Sequence, residues 1–241
     1  MSRGVDDEAI VLRSFRFGEA DRIVHLLTRG GGRVNALAKG ARRTTSRLGG
    51  RLEPLSRVAV VLRRGTGDLA TITGADLVDG GDLVRADAGR LALALAGAEA
   101  VLKLFPEAAA NERLYVGLAR YLELLGTRPA GLPGDPAREP LTLAFLLKLV
   151  ALAGWAPRLD RCVVGGETGP FVRFSAEAGG VVCAACRGGF VLAPETPGAV
   201  ADLLALPLGA AAPPPRALRD VVRIVDETAA AHAGVRLRAI A

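Results

Sequence analysis

The chain has 241 residues, half of them hydrophobic, and a formal net charge of +6, with an isoelectric point near 9.9. That is enough for one large domain or two to three small ones built on Leu, Val and Ala, and the basic balance favours an anionic partner. No run of about 18 uncharged apolar residues is present, and the acidic start Asp6-Asp7-Glu8 lacks the apolar region of a signal peptide, so a cytoplasmic protein is expected.

Residues 8–79 read as five short strands. Ala9–Phe15 leads through Gly18-Glu19-Ala20-Asp21 into Arg22–Thr28, and Gly30-Gly31-Gly32 turns the chain into Arg33–Ala38. After a long connection come Arg57–Leu62 and, past Gly65-Thr66-Gly67-Asp68, Leu69–Thr73. β-branched runs at near-regular spacing predict a small closed barrel, and five strands with one long connection fit an OB-fold better than an SH3-like barrel. From Leu83 the period becomes helical. Leu91, Leu95, Ala98, Leu102 and Phe105 are predicted to share one face; Asn111 caps a helix over 112–126; 141–153 is apolar all round and should be buried. Short and amphipathic helices are predicted over 196–206 and 216–232, parted by Pro213-Pro214-Pro215. The expected class is α+β: an OB-fold barrel in residues 1–80, then an all-α domain over 81–241 with a cysteine-bearing insert at 160–190.

The charge is unevenly spread. Residues 1–80 carry fourteen basic and nine acidic side chains, the other 161 residues seventeen and sixteen. Only Lys39, Lys103 and Lys148 are lysine; a GC-rich coding sequence explains a preference for arginine but not its clustering. Between Arg29 and Arg64 ten basic residues face one acid, Glu53. Their centre, Lys39 to Arg51, is predicted to be a loop between two strands, with glycines and hydroxyls interleaving the arginines. Small residues let a backbone approach phosphates while arginines neutralise them. A charge run is often only a solvated face; its single sign and its mounting on a barrel that often binds single strands favour nucleic acid. Phe15 and Phe17 are the only aromatics of the first 80 residues, so binding should rest on phosphates, with weak stacking and strong salt dependence.

Cys162-Val163-Val164-Gly165 and Cys183-Ala184-Ala185-Cys186 have the spacing of a four-cysteine zinc ribbon, except that residue 165 is glycine. Asp160, Glu167, Glu177 or water would have to complete the set, and the alternative is a knuckle without metal, held by its own packing. Less than one zinc per chain is expected; a full equivalent would require a further ligand. Catalysis has little support. No G-x-S-x-G elbow or P-loop occurs, and His25 sits inside a predicted strand. Asp6, Asp7, Glu8, Glu19 and Asp21 either pair with the basic loop or form a two-metal site, for which they lack a spacing motif.

Several stretches resemble a known family. Asp7–Arg13, Gly18–Val24, Ala38–Arg43 and Arg47–Pro54 are similar to the N-terminal domain of RecO, a bacterial recombination and repair family. The likeness continues through Leu152–Val164 and Ser175–Cys186. It implies an OB-fold, a helical domain and a zinc knuckle. It also implies binding of single- and double-stranded DNA, annealing of complementary strands, and cooperation with RecR in bringing RecA onto DNA covered by single-strand-binding protein, at the nucleoid and without catalysis. Lys39, Arg42, Arg43, Arg47 and Arg51 carry over as DNA contacts, and Cys162, Cys183 and Cys186 as metal ligands, with Gly165 departing from the family pattern. An OB-fold RNA-binding module of the translation machinery and a zinc-dependent nuclease are the alternatives.

Overall fold

A computed structural model describes residues 4–63, 67, 69–237 and 240. Arg64 and most of the 65–68 turn lie outside the described residues. Two compact units are present, Met1–Leu132 and Pro133–Ala241.

The first unit is organised by a five-stranded closed barrel in the order β1-β2-β3-β5-β4. Its strands are β1 (Val5–Phe17), β2 (Asp21–Thr28), β3 (Gly32–Ala38), β4 (Arg57–Arg63) and β5 (Ala70–Asp79). The long β1 serves both edges: residues 9–17 pair with β2 and residues 5–10 with β4. Parallel pairing of Ala36 with Ala70 and Leu37 with Thr71 closes the cylinder. This is the OB-like arrangement expected from the strand pattern. Alternation puts Ala9, Val11, Val24, Leu26, Val58, Val60 and Ile72 in one apolar core, and closure removes the exposed edges on which strands aggregate.

Three helices complete this unit: α1 (Asp82–Arg85), α2 (Ala88–Leu104) and α3 (Glu112–Gly126). The Asn111 side chain accepts from the Leu114 N–H at 3.1 Å and caps α3 as predicted. On α2 the predicted face needs correction. Of that face Ala98 and Phe105 are buried and Leu91 and Leu102 half-buried, but Leu95 is 43% exposed, whereas Leu93, Ala94, Val101 and Leu104 are buried. α2 alternates Leu and Ala on all sides, so its sequence offers several equivalent apolar stripes. The barrel and these helices are tied by polar contacts. Tyr115 donates to Glu8 at 2.8 Å, Arg57 pairs with Glu8 at 3.3 Å, and Arg33 donates to the Leu102 carbonyl at 2.9 Å. Burial and the Glu8 bond push the Tyr115 hydroxyl pKa upward, holding it as a donor.

The second unit contains α4 (Pro140–Val150), a three-stranded sheet of β6 (Phe171–Ser175), β7 (Gly180–Cys183) and β8 (Phe190–Val191), then α5 (Thr196–Ala205) and α6 (Pro215–Ala233). Leu141 to Leu147 are all buried, so α4 is the central helix its apolar sequence predicts. A π-type turn over Ala151–Trp155 ends it, and the Trp155 ring lies on His232 with centroids 5.9 Å apart. No described helix is long and apolar enough to cross a membrane.

Candidate nucleic-acid interface and cysteine cluster

The connection between β3 and β4 is a chain of tight turns held by apolar side chains. Ala41 and Leu52 are buried in the barrel core and Leu48 packs against them. Arg43 N–H bonds the Gly40 carbonyl, Ser46 N–H bonds that of Arg43, and residues 49–51 form one 3-10 turn. Two glycines are required here. Gly40 adopts φ +63, and a Cβ on Gly49 would lie 2.7 Å from the Ala41 carbonyl oxygen. The base of the connection is fixed to the β1–β2 turn. Gly40 N–H donates to Asp21 at 2.7 Å, Arg42 N–H to the Ala20 carbonyl at 2.9 Å, and the Arg42 guanidinium to the Glu19 carbonyl at 2.9 Å.

This geometry sorts the basic run into two classes. Arg29 pairs with Glu112, Arg57 with Glu8, and Arg33 is spent on carbonyls of α2 and the residue after it. Arg51 donates to the Ala75 carbonyl at 2.6 Å and to Asp76 at 2.8 Å, clasping the connection to β5. Lys39, Arg43 and Arg47 are exposed, and among the described residues none of them has an ion-pair partner. Arg42 is exposed too, and its carbonyl bonds leave its charge uncompensated. The run's only acid, Glu53, pairs with Arg22 on β2 at 2.6 Å and does not neutralise the turns. Of the five residues singled out as DNA contacts, four therefore present free charge on a rigid support, and Arg51 has a bracing role that spacing alone did not reveal.

Phe15 and Phe17 lie on the same side of β1, both exposed, and Phe17 is paired with Asp21 beside the turn that anchors Arg42. The Arg13 guanidinium stands 5.7 Å from the Phe15 ring centroid, and His25 touches that ring at 5.4 Å between centroids. Burial, then Arg33 and Arg13, lower the His25 pKa, which suits a neutral strand residue. Of the five acids considered for a two-metal site, Asp7, Glu8 and Asp21 are engaged separately. Asp7 accepts from the Gly30 N–H at 3.1 Å, Asp21 from Gly40, and Glu8 holds Tyr115 and Arg57.

In the second unit the cysteines converge. Residues 158–163 run alongside β7 through Arg158 N–H to Gly179, Val181 N–H to Arg158 and Val163 N–H to Val181. Cys162 leaves this ribbon at a turn, Cys183 ends β7, and Cys186 follows one turn later. Cys162 Sγ accepts from the N–H groups of Gly165 at 3.3 Å and Cys183 at 3.4 Å; the Gly165 bond is the main reason the Cys162 pKa falls. Cys183 Sγ lies 3.4 Å from Glu167 Oε2. Ligand atoms of Cys162, Glu167, Cys183 and Cys186 all lie within 4.8 Å of one another, and this is the one such group of His, Cys, Asp and Glu found among the described residues. Tetrahedral zinc with thiolate bonds separates its ligands by about 3.8 Å, so the donors fit that ion; Cys162, Cys183 and Cys186 would hold it, cross-linking two turns. Asp160 pairs instead with Arg161 and Arg158 at the surface.

Comparison with known proteins gives this arrangement a family. Residues 1–80 match the family model described as recombination protein O, N terminal, and residues 85–239 the one described as recombination protein O, C terminal. The chain belongs to the RecO family. A curated RecO relative from Rubrobacter xylanophilus, named a DNA repair protein, is 42% identical over 224 residues, covering 89% of this chain and 87% of the relative. Another, from Bifidobacterium adolescentis and named likewise, is 40% identical over 187 residues, covering 74% and 72%.

Proposed function

We propose that this chain is a DNA-binding recombination mediator that anneals complementary strands during repair and, with RecR, helps RecA load onto DNA covered by single-strand-binding protein. Residues 1–80 are the nucleic-acid-binding domain and residues 81–241 the helical domain in this reading. The observation that carries it is the set of free charges at Lys39, Arg42, Arg43 and Arg47 on turns anchored in the barrel core. A rigid basic surface lowers repulsion between two phosphate backbones and holds each loosely enough to search for its complement. That task needs no catalytic group, and three of the barrel acids, Asp7, Asp21 and Glu8, are individually committed to backbone N–H groups and a cation. Family membership and the relatives' names as DNA repair proteins support DNA as the polyanion.

The test is annealing of two complementary oligonucleotides, one coated with single-strand-binding protein, with and without RecR. Acceleration over spontaneous pairing is expected. No acceleration contradicts the proposal, metal-dependent cleavage of the strands points to a nuclease, and preference for structured RNA points to a translation module.

A further inference from the structure

We infer that Glu167 replaces the missing fourth cysteine and completes a Cys3Glu zinc site. This inference is independent of the DNA-binding reading.

The decisive observation is what occupies the space at residue 165. A Cβ built on Gly165 would stand 2.7 Å from Glu167 Oε1 and 2.8 Å from Cys186 Sγ. The volume into which a cysteine at this position would project its sulfur already holds a carboxylate. Gly165 does not adopt positive φ, unlike its neighbour Gly166 at +85, so no backbone demand explains the glycine. What it does is leave room.

The chain delivers Glu167 there by a short return. Gly166 N–H donates to the Cys162 carbonyl at 3.0 Å and Cys162 N–H to the Glu167 carbonyl at 2.7 Å. These two bonds lock residues 162–167 into a closed turn whose last side chain folds back over its first. The carboxylate then meets Cys183 at 3.4 Å. Of the oxygens close in sequence, Asp160 is held by Arg161 and Arg158, and Glu177 is absent from the cluster. Zinc accepts a carboxylate oxygen beside thiolates, and four protein ligands make a closed structural site. Three thiolates without a fourth ligand would leave an open position; Glu167 closes it. The occupant is therefore a structural zinc, at one equivalent per chain, where spacing alone predicts less.

Elemental analysis of the full-length protein should find one zinc per chain. Competition against a chromophoric chelator should show affinity falling about tenfold or more in both Glu167→Ala and Glu167→Gln, at least the loss typical of outer-shell partners. Asp160→Ala and Glu177→Ala should leave it unchanged. Gly165→Cys combined with Glu167→Ala should restore it, and in the cobalt-substituted protein should raise thiolate charge-transfer absorption by about one third, as a fourth thiolate joins three. Glu167→Gln keeps the side chain's shape, so a loss there is not a folding failure. Wild-type protein without zinc, unchanged affinity in both Glu167 variants, or a loss in Asp160→Ala or Glu177→Ala would overturn the assignment.

Discussion

The connection at residues 39–56 and the cysteine turns at 158–186 are built in opposite ways. In the first, apolar side chains point inward: Leu52 is fully buried while Lys39, Arg43 and Arg47 face outward. In the second, the reactive side chains point inward: Cys162 is 2% exposed, while Val164 two residues on is 56% exposed. Hydrophobic anchoring leaves charges free to meet a partner, whereas ligand convergence uses the polar atoms up internally. A surface of the first kind can bind a polyanion, and a cluster of the second kind is equipped to hold itself together.

Breaking each region by its own chemistry should therefore leave the other intact. Stripping zinc has the largest expected effect, because structural zinc in small domains contributes on the order of 10 kcal/mol to their folding. A strong chelator, or Cys183→Ser, should abolish amide protection in β6 and β7 while protection of the barrel strands persists. Leu52→Ala comes next. Deleting a buried leucine costs about 2–5 kcal/mol, so the barrel unit should melt earlier and the amides of residues 40–52 should exchange faster, with zinc content unchanged. Loss of the barrel strands on chelation, or loss of zinc on Leu52→Ala, would break the comparison.

Smaller substitutions sharpen it within the basic run. Phe15→Ala with Phe17→Ala removes two exposed rings, each able to stack one base for about 1–3 kcal/mol at most. Any affinity lost should be the same at every salt concentration, since stacking releases no counterions. Arg51→Ala breaks a clasp whose ion pair is largely exposed, 39% and 85% for its two side chains, and should cost at most about 1 kcal/mol by thermal denaturation. Its effect on the salt dependence of DNA binding should be the least of the loop arginines; an effect equal to that of Arg43→Ala would place it among the free charges.

Much of this was legible from residue order. β-branched runs at near-regular spacing and the Gly30-Gly31-Gly32 turn foretold the barrel, Asn111 the start of α3, and the apolar run at 141–153 the buried helix, which ends at Val150, three residues sooner. What residue order cannot display is partnership across the fold. Arg51 and Arg47 look alike in a basic run; only the approach of β5 gives Arg51 an acid and a carbonyl. Leu95 and Leu93 look alike on a helix of Leu and Ala, and the buried one is chosen by the neighbour. At the Gly165 gap residue order offered Asp160, Glu167, Glu177 or water without a way to choose among them. Glu167 fills it through a closed turn whose hydrogen bonds have no sequence signature.

The central claim is that free charge on the β3–β4 turns binds phosphates, and salt titration tests it most directly. The slope of log affinity against log salt for single-stranded DNA should be compared between wild type and a Lys39→Ala, Arg43→Ala, Arg47→Ala variant. At about 0.7 units per phosphate contact, the variant's slope should be shallower by about two units, with weaker binding to every sequence. An unchanged slope would contradict the account, because the charges would then face solvent and nothing else.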